Sequence, residues 1–274
     1  MKVSIQGNRG SYHDIVARSM FGSETEALER DSFEEVFQDV VGKQAEFGVV
    51  AIENSIAGSL DGNYDLLLEN EVFIVAERYL RISHQLLVLP GVDLKDVVEV
   101  FSHHMAIKQC RVFLNEHPNW AINEYPDTAG AAAFIKREGK LRAAAIASRL
   151  AAEVYGMKIA AEDIESNKRN YTRFLIISRQ PNYPPDANKT SMALALKHQP
   201  GSLARILNIL FEHQINMTKI ESRPIVGVEW EYHFYIDFEG GVQEPKVQSA
   251  LAEIKNHSHW LKILGSYAIK PVIE

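Results

Sequence analysis

Cysteine is almost absent from this chain, and long apolar runs are missing altogether. Its 274 residues include one cysteine, Cys110, so an internal disulfide is excluded and a reducing compartment is indicated. No stretch approaches the roughly 20 apolar residues that a membrane-spanning helix needs. The start, MKVSIQGNRG, has neither the apolar segment nor the cleavage site of a secretory signal. We therefore expect a soluble, cytoplasmic protein.

Positive charge is also scarce, and it is not clustered. The formal net charge is -7, and no basic stripe is present, so neither nucleic acid nor a membrane surface is an expected partner. An anionic ligand would have to be bound by local donors such as helix N-termini and single arginines. With 46% hydrophobic residues, the chain is long enough for about two domains with ordinary cores.

The first two thirds of the chain alternate between strand and helix patterns. Val3–Gln6 reads as a short strand, and Ser32 with Glu35 forms a capping box that opens a helix. Phe47–Ile52 is a continuous apolar run, typical of a strand that is buried on both faces. The alternation includes a helix that Ser102 could cap and that runs through Leu114, and a helix at Arg149–Tyr155 that Gly156 closes. It continues to a last strand at Arg173–Ser178 and predicts an α/β region with parallel or mixed sheets.

A proline-rich segment separates this region from a second pattern. Residues 179–189 read RQPNYPPDANK, and three prolines in so short a stretch disfavour helix and sheet alike. We interpret this segment as a linker between a domain at 1–179 and another at 190–274. The second domain is predicted as βαββαβ, an antiparallel sheet of four strands with two helices on one face. Its elements are Met192–Lys197, a helix around Leu203–Leu210, Met217–Glu221, Trp230–Phe238, Lys246–Lys255 and Leu261–Ile269.

Three segments of the first region carry polar side chains where strands end and helices begin. Gly7–Ser11 follows the first strand and can present backbone N–H groups and the Ser11 hydroxyl to an anion; a plain helix-capping turn is the alternative. Glu53-Asn54-Ser55 ends a buried strand, where open α/β sheets bind ligands, although an N-cap beside a loop acid would look the same. Asp127–Ala132, with Thr128, allows close approach of a ligand or merely a tightly packed, capped helix.

Two further segments combine groups that suit carboxylate recognition or a bend in the chain. In Asn170–Phe174, Thr172 and Phe174 share one face of a strand and Arg173 points to the other. Arginine binds carboxylates in a bidentate fashion, but a surface ion pair is an equally good interpretation of Arg173 taken alone. In the second domain, Gly201–Ala204 and Glu221–Pro224 fit turn chemistry with an edge proline.

Taken in order, these segments resemble the prephenate dehydratase family over nearly the whole chain. Asn170–Phe174 is similar to its N-x-T-R-F signature and Glu53–Ser55 to its E-N-S motif. Ala144–Ser148, followed by Tyr155-Gly156, is also similar. Ile215–Pro224 resembles the phenylalanine-binding segment of an ACT domain.

The resemblance implies a fold, an activity and a mode of regulation. The catalytic region would have two α/β lobes with a cleft between them, like a periplasmic binding protein, and a ferredoxin-like α+β ACT domain would follow. The activity would be that of a lyase in phenylalanine biosynthesis, converting prephenate to phenylpyruvate by decarboxylating dehydration. The resemblance implies no metal and no organic cofactor. It implies allosteric inhibition by L-phenylalanine at paired ACT domains, and hence a homodimer or homotetramer.

The resemblance also suggests a role for each candidate residue. Thr172 would donate to the departing hydroxyl, while Glu53 either orients its neighbours or carries a proton, two roles that the sequence leaves open. The catalytic set is Thr172, Glu53, Asn54 and Ser55; the substrate-binding set is Ser11, His13, Thr128, Asn170, Arg173 and Phe174. The expected phenylalanine-binding residues are Gly201, Ser202, Leu203, Asn216, Glu221, Ser222 and Arg223.

Several positions depart from the family pattern. Asn8 and Ala51 replace common prolines, and His104-Met105 replaces a Pro-Gln pair. His13 stands where a hydroxyl residue is usual, which changes the hydrogen-bonding group and its possible charge. Three alternatives are an arogenate dehydratase, a non-catalytic sensor and a bifunctional enzyme with chorismate mutase. The last is disfavoured because the first strand begins near residue 2, and the sensor is disfavoured because it would need no proton donor at Thr172.

Overall fold

The computed structural model describes residues 1–225, 227 and 232–273, which form two compact units. Unit 1 comprises residues 1–59, residues 79–174 and the chain end from Val272. Unit 2 comprises Leu60–Arg78 and Leu175–Pro271. Residues 60–78, which lie within the predicted first domain, therefore pack with the C-terminal part of the chain.

Unit 1 contains two lobes, each built on its own sheet. The elements of the first lobe are β1 (Lys2–Gln6), α1 (Tyr12–Phe21), β2 (Glu26–Arg30), α2 (Phe33–Val41), β3 (Phe47–Asn54) and β4 (Gly58–Ser59). Two elements follow that belong wholly or mainly to unit 2, α3 (Asp61–Glu69) and β5 (Phe73–Arg81). The second lobe consists of β6 (Gln85–Val88), β7 (Glu99–Ser102), α4 (His104–Gln109), α5 (Arg111–Asn115), β8 (Ala121–Glu124), α6 (Thr128–Glu138), β9 (Ala143–Ala147), α7 (Arg149–Tyr155) and β10 (Lys158–Ala161). The chain then returns through β11 (Tyr171–Ser178), which begins in unit 1.

The first lobe is a parallel arrangement around a buried central strand. β1 pairs in parallel with β2 and β3, in the order β11-β3-β1-β2. The apolar run of β3 is buried from Gly48 to Ile52, as its composition predicts. Ser32 and Glu35 form the predicted capping box at the start of α2, which satisfies backbone amides at the helix N-terminus.

The second lobe has a mixed sheet in the order β10-β6-β9-β7-β8. β9 lies in the centre and is entirely buried, and it runs parallel to β7 and antiparallel to β6. Small side chains of α6, including Ala131 and Ala132, are fully buried in this core. Gly156 ends α7 in the left-handed conformation, as predicted.

One local prediction for unit 1 was wrong, and one strand was not predicted. The helix expected from Ser102 to Leu114 is two short helices, α4 and α5, with His103 and not Ser102 as the first N-cap. Ser102 is instead buried, and its hydroxyl donates to the Ile146 carbonyl at 2.6 Å, so it holds β7 against β9. β2 was not predicted because its sequence, EALER, is polar and lies at the edge of the sheet.

Unit 2 shows the predicted βαββαβ order. Its elements are β12 (Lys189–Leu196), α8 (Ser202–Glu212), β13 (Met217–Pro224), β14 (Tyr232–Glu239), α9 (Pro245–His257) and β15 (Ser258–Tyr267). The four strands are antiparallel in the order β13-β14-β12-β15. Trp230, the predicted start of β14, lies outside the described residues.

α3 and the beginning of β5 complete unit 2. β15 pairs in parallel with β5 at Gly265 and Ile74. An added Cβ at Gly265 would lie 2.1 Å from the Ile74 carbonyl oxygen, so this close approach requires glycine. Among the helices in the described ranges, none combines the length and hydropathy needed to cross a membrane.

Candidate active site

The predicted E-N-S and N-x-T-R-F segments lie side by side in unit 1. β3 and β11 are neighbours in the sheet, and the Ser55 amide donates to the Tyr171 carbonyl at 2.8 Å. The Ser55 hydroxyl accepts from the Tyr171 amide at 2.9 Å and donates to the Arg169 carbonyl. Ser55 thus fastens the two segments to each other and has its hydroxyl engaged within the protein.

Asn54 connects the same segments through its side chain. Its Nδ2 donates to Asn170 Oδ1 at 2.8 Å and to Thr172 Oγ1 at 2.9 Å, with a longer contact to the Tyr171 carbonyl. Its Oδ1 accepts from the amides of Ile56 and Ala57. Because donors and acceptors surround the amide on opposite sides, its orientation is determined.

This hydrogen bond sets the role of the Thr172 hydroxyl. Thr172 is buried, and its oxygen accepts from Asn54. Within the described part of the chain its hydroxyl proton has no acceptor. A hydroxyl that accepts one hydrogen bond becomes a better donor in the next. Thr172 is therefore arranged to donate to a bound molecule.

Asn170 and Phe174 complete the buried surroundings of Thr172. Asn170 is fully buried, and its Nδ2 finds no hydrogen-bond partner among the described residues. Such a donor costs about 1–3 kcal/mol when left unmet, so it suits a ligand oxygen. Phe174 is buried two residues beyond Thr172 in β11; Arg173, between them, is also buried and points to the opposite face of the strand.

Glu53 lies next to this network on the adjoining hairpin. β3 and β4 are antiparallel, with Glu53 opposite Ser59 and Asn54 opposite Gly58. Glu53 is only partly buried. It adjoins Asn54, which contacts Thr172. Whether Glu53 orients its neighbours or carries a proton stays open.

The turn at Gly7–Ser11 does not offer its amides to an anion, which agrees with the helix-capping alternative for this segment. The amides of Gly7 and Ser11 donate to backbone carbonyls, those of Arg9 and Gly10 donate to the carboxylates of Glu29 and Asp14, and that of Asn8 makes a 3.5 Å contact with Asp127. All five are thus used within the protein. The expected donors lie one step further on, at the start of α1.

The first turn of α1 has the donors that the preceding turn lacks. The Ser11 hydroxyl caps the helix by accepting from the Asp14 amide, and its own proton has no acceptor in the part of the chain that is described. The amides of Tyr12 and His13 likewise donate to no described residue. Free amides at a helix N-terminus attract negative charge. Ser11 therefore remains a predicted substrate-binding residue.

His13 lies against the Thr172 strand as a neutral ring. Its ring is edge-on to Phe174, with centroids 5.1 Å apart, and also to Phe33. Burial lowers the pKa of His13 to about 3. Its Nε2 is buried and has no hydrogen-bond partner among the described residues. At neutral pH His13 can therefore supply a hydrogen bond without a charge.

The two lobes of unit 1 meet at the Gly7–Ser11 turn. Ser148 at the start of α7 donates to the Gly10 carbonyl at 2.5 Å, and Tyr155 donates to that of Arg9. Asp127 accepts from the amides of Ala129 and Gly130 as the N-cap of α6, and burial raises its pKa. Asp127 also lies against Asn8, so the adjoining Thr128 is placed beside the turn that leads to Ser11.

A second connection between the lobes was not predicted. The Tyr12 hydroxyl lies 2.8 Å from His84 Nδ1, and His84 Nε2 lies 2.8 Å from Gln109 Oε1 in α4. The Gln109 amide oxygen accepts from Nε2, and the Tyr12 hydroxyl also lies 2.8 Å from the Ser83 carbonyl, so its one proton is shared between that carbonyl and Nδ1. No sequence motif marks Gln109, because the contact depends on how the chain folds back.

The predicted phenylalanine-binding residues lie at opposite ends of the strands of the unit 2 sheet. β13 runs parallel to β12, since both are antiparallel to β14. Gly201, Ser202 and Leu203 follow the C-terminal end of β12. Glu221–Arg223 lie at the same end of the sheet, in the C-terminal part of β13. Asn216 precedes β13 and lies at the opposite end of the strands. A single chain therefore does not bring all seven together, and the full set stays a prediction.

Arg223 is engaged with a different element of unit 2. Its Nη1 donates to Asp61 at 2.9 Å and its Nη2 to Asp65 at 2.9 Å, with Nε also directed at Asp65. These carboxylates raise the pKa of Arg223. The guanidinium thus holds α3, a contact that the sequence did not suggest.

Comparison with known proteins agrees with this arrangement. The family model "Prephenate dehydratase" matches residues 3–182, and the model "ACT domain" matches residues 194–256. A bifunctional chorismate mutase/prephenate dehydratase of Aquifex aeolicus is 36% identical over 97% of this chain and 73% of its own length. The chloroplastic arogenate dehydratase 5 of Arabidopsis thaliana is 38% identical over 97% of this chain and 67% of its own length.

Two solved structures share the fold over the whole chain. A prephenate dehydratase from Arthrobacter aurescens, in complex with L-Phe, is 28% identical with a TM-score of 0.89, covering 100% of this chain and 92% of the other. A protein described as a novel type of quorum-quenching acylase is 33% identical with a TM-score of 0.90, covering 99% of both chains. The family model covers most of the chain, and the relatives extend over nearly all of it. The chain therefore belongs to the prephenate dehydratase family, with an ACT domain after the catalytic region.

Proposed function

We propose that this chain converts prephenate to phenylpyruvate, and that Thr172 assists departure of the ring hydroxyl. The observation that supports the proposal is the hydrogen bond from Asn54 to Thr172 Oγ1 at 2.9 Å. It leaves the Thr172 proton as the group that can meet the departing oxygen. Family membership supplies the reaction, and this contact suggests how the chain performs it.

The reaction needs help mainly at the leaving group. Prephenate carries a ring carboxylate, a pyruvyl carboxylate and a ring hydroxyl. The bond to the ring carboxylate breaks, its electron pair enters the ring as carbon dioxide departs, and the C–O bond breaks on the other side. The oxygen leaves as water after taking up one proton, and the ring becomes aromatic. General-acid assistance of this kind is worth about 10²–10⁴-fold.

Thr172 is a weak acid, so its surroundings have to strengthen it as a donor. Asn54 polarises the hydroxyl by donating to its oxygen. Asn54 is itself held by Asn170 and by the turn amides of Ile56 and Ala57. A donor that is fixed in advance stabilises developing charge without reorganisation. This arrangement favours the transition state over the bound substrate.

The two carboxylates of the substrate require hydrogen-bond donors that are neutral or positively charged. The free amides of Tyr12 and His13, the Ser11 hydroxyl and the Asn170 amide are such donors in unit 1. Arg173 is buried in β11 on the face opposite Thr172, so it stays a predicted carboxylate ligand and is not part of this set. We assign carboxylate binding to this set.

Substitution of Thr172 tests the proposal directly. In Thr172→Ala we expect kcat for prephenate to fall about 10²–10⁴-fold with a smaller change in KM, because the donor acts on the transition state. Thr172→Ser keeps the hydroxyl and should retain most of the activity. Phenylpyruvate formation is followed by absorbance, with circular dichroism as a check of folding. A folded alanine variant within a few-fold of wild type would remove Thr172 from this role.

Arogenate is the second candidate substrate, since several relatives are named for it, including the Arabidopsis protein described above. The two substrates differ only in a keto or an amino group on the side chain. A competition assay with both at equal concentration gives the ratio of the kcat/KM values and decides between them. A chain that binds both and turns over neither would be the non-catalytic sensor.

We further propose inhibition by L-phenylalanine through the ACT domain. The ACT match at 194–256 supports this, as does the L-Phe complex of the Arthrobacter aurescens relative. A homodimer or homotetramer in the cytoplasm is part of the same proposal. Light scattering with and without phenylalanine measures the subunit number.

A further inference from the structure

α3 is held at both ends by cations of unit 2. At its N-terminus no side chain caps the helix, and Arg223 of β13 binds Asp61 and both oxygens of Asp65. At its C-terminus Lys262 of β15 donates to the carbonyls of Leu67 and Asn70, at 3.0 and 3.2 Å. These carbonyls lie at the end of the helix, where a cation is favoured.

The middle of α3 is held by the same strands. The Tyr235 hydroxyl of β14 donates to the Tyr64 carbonyl at 2.9 Å, and the two rings pack with centroids 4.9 Å apart. The Lys219 ammonium lies 5.6 Å from the Tyr64 ring centroid. Four side chains of the region matched by the ACT model, or just beyond it, therefore fix the position of a helix that lies inside the dehydratase match.

A short stretch of chain connects α3 to the Thr172 donor. Leu60 alone separates Asp61 from Ser59, and β4 pairs with Glu53 and Asn54 of β3. The intervening turn is built on Asn54, whose Oδ1 accepts from Ile56 and Ala57. A shift of α3 would therefore act through Leu60 on β4, the strand that pairs with Glu53 and Asn54.

We propose that α3 is the positioning element through which the ACT domain controls catalysis, and that Arg223 and Lys262 are the residues that couple them. The inference rests on the proposed dehydratase function and its phenylalanine inhibition. It assigns Arg223 to binding α3 and not to binding phenylalanine. Asp61 and Asp65 then become regulatory residues although they are remote in sequence from the ACT domain.

The decisive variant is Asp61→Asn combined with Asp65→Asn, which removes the ion pairs and leaves Arg223 in place. Because the pairs are partly exposed, they add little to stability, and the variant should fold. Allosteric coupling typically changes affinity or activity by about 5–150-fold. In the aspartate variant we expect most of the inhibition to be lost, so that its activity at saturating phenylalanine approaches its activity without phenylalanine. Phenylalanine binding measured by calorimetry should remain, as should basal turnover.

Two further variants make the result specific. Lys262→Gln releases the other end of α3 and should uncouple in the same way. Glu253→Gln alters a carboxylate of α9 that pairs with His213 and Arg205, away from α3, and should leave inhibition intact. Full inhibition in both the aspartate and the Lys262 variants would overturn the proposal. So would loss of phenylalanine binding in Arg223→Ala while the aspartate variant stays inhibited, since Arg223 would then be a ligand.

Hydrogen exchange separates this proposal from the dehydratase assignment. Phenylalanine should change amide exchange at residues 53–59 in the wild type and not in the aspartate variant, whether or not prephenate is turned over. If phenylalanine changes exchange in this way but prephenate is not turned over, the dehydratase function is refuted and the coupling is supported. Turnover with no phenylalanine effect on exchange or activity would refute the coupling and leave the dehydratase function standing.

Discussion

At the scale of single residues, two side chains owe their chemistry to what surrounds them. Asn54 has hydrogen-bond partners on both sides of its amide, and because it donates to Thr172 Oγ1, we propose the Thr172 hydroxyl as a donor. His13 is kept uncharged by burial between Phe33 and Phe174. In both cases the residue type permits several roles, and the neighbours select one.

The lowered pKa of His13 predicts a specific acid sensitivity. In the unfolded chain the ring binds a proton below pH about 6.5, whereas in the folded protein its pKa is about 3. Between these values the unfolded state holds the extra proton, so stability falls on acidification by about 1.4 kcal/mol per pH unit from this group. Urea unfolding of His13→Asn should show a weaker pH dependence than wild type across this window.

Two neighbours act in the same pH range, and a control separates them. Burial lowers the pKa of His84 as well, which adds in the same direction, while the raised pKa of Asp127 opposes it. His198 is exposed, and His198→Asn serves as the matched control that keeps the wild-type slope. An identical slope in His13→Asn and wild type would show that His13 does not titrate as described.

At the scale of elements, the Gly7–Ser11 turn is a contact between lobes. Gly10 has a positive φ of 85°, and an added Cβ would lie 2.7 Å from the Ala151 Cα in α7. The turn amides are used by carboxylates and carbonyls of the protein. The glycine therefore serves close approach of the turn to α7, and we propose the amides that follow it in α1 as the substrate donors.

Gly10→Ala should be strongly destabilising. A left-handed conformation costs a side chain about 1–3 kcal/mol, and the backbone of α7 stands where the new methyl group would go. We expect a fall in unfolding free energy of at least that size, measured by urea denaturation, with a loss of activity. Gly62→Ala in α3 meets no atom within 4 Å and should be neutral or stabilising by up to about 1 kcal/mol. Equal effects of the two substitutions would refute this account.

At the scale of the whole molecule, the residue ranges of the two compact units differ from those that the two family models match. The dehydratase model matches residues 3–182, yet Leu60–Arg78 belong to unit 2 with the ACT strands. A buried ion pair lies within that unit: Lys189 Nζ is 3.0 and 2.9 Å from the two oxygens of Glu77. Residues of the catalytic sequence are thus part of the regulatory core.

The Glu77–Lys189 pair should behave as a buried pair does. Lys189→Met leaves the Glu77 carboxylate buried without this cation and should cost about 3–5 kcal/mol of unfolding free energy. Asp237, 4.0 Å from the same ammonium, adds to the penalty. Replacing both members of the pair by methionine should restore much of the loss, because an apolar pair needs no compensation. Chemical denaturation of the single and double variants measures this, and a double variant no better than the single would contradict it.

Prediction from sequence succeeded where the signal is local. The Ser32–Glu35 capping box, the Gly156 helix end and the βαββαβ order are encoded within a few residues each. It failed for the polar edge strand Glu26–Arg30 and for the helix expected from Ser102. In these cases pairing with a neighbouring strand or contact with a neighbouring sheet outweighed the local pattern. The domain limits at 1–179 and 190–274 stay a prediction.

The sequence by itself determined the family, the order of the elements and which residue types stand at the strand ends, because periodicity and short motifs carry that information. Only the tertiary structure decided which amides of the described turns are used, that Thr172 Oγ1 accepts from Asn54 and that Arg223 holds α3. Asn54 and Thr172 are 118 residues apart, and Arg223 and Asp61 are 162 apart. Contacts of that separation depend on the path of the whole chain, which no local pattern specifies.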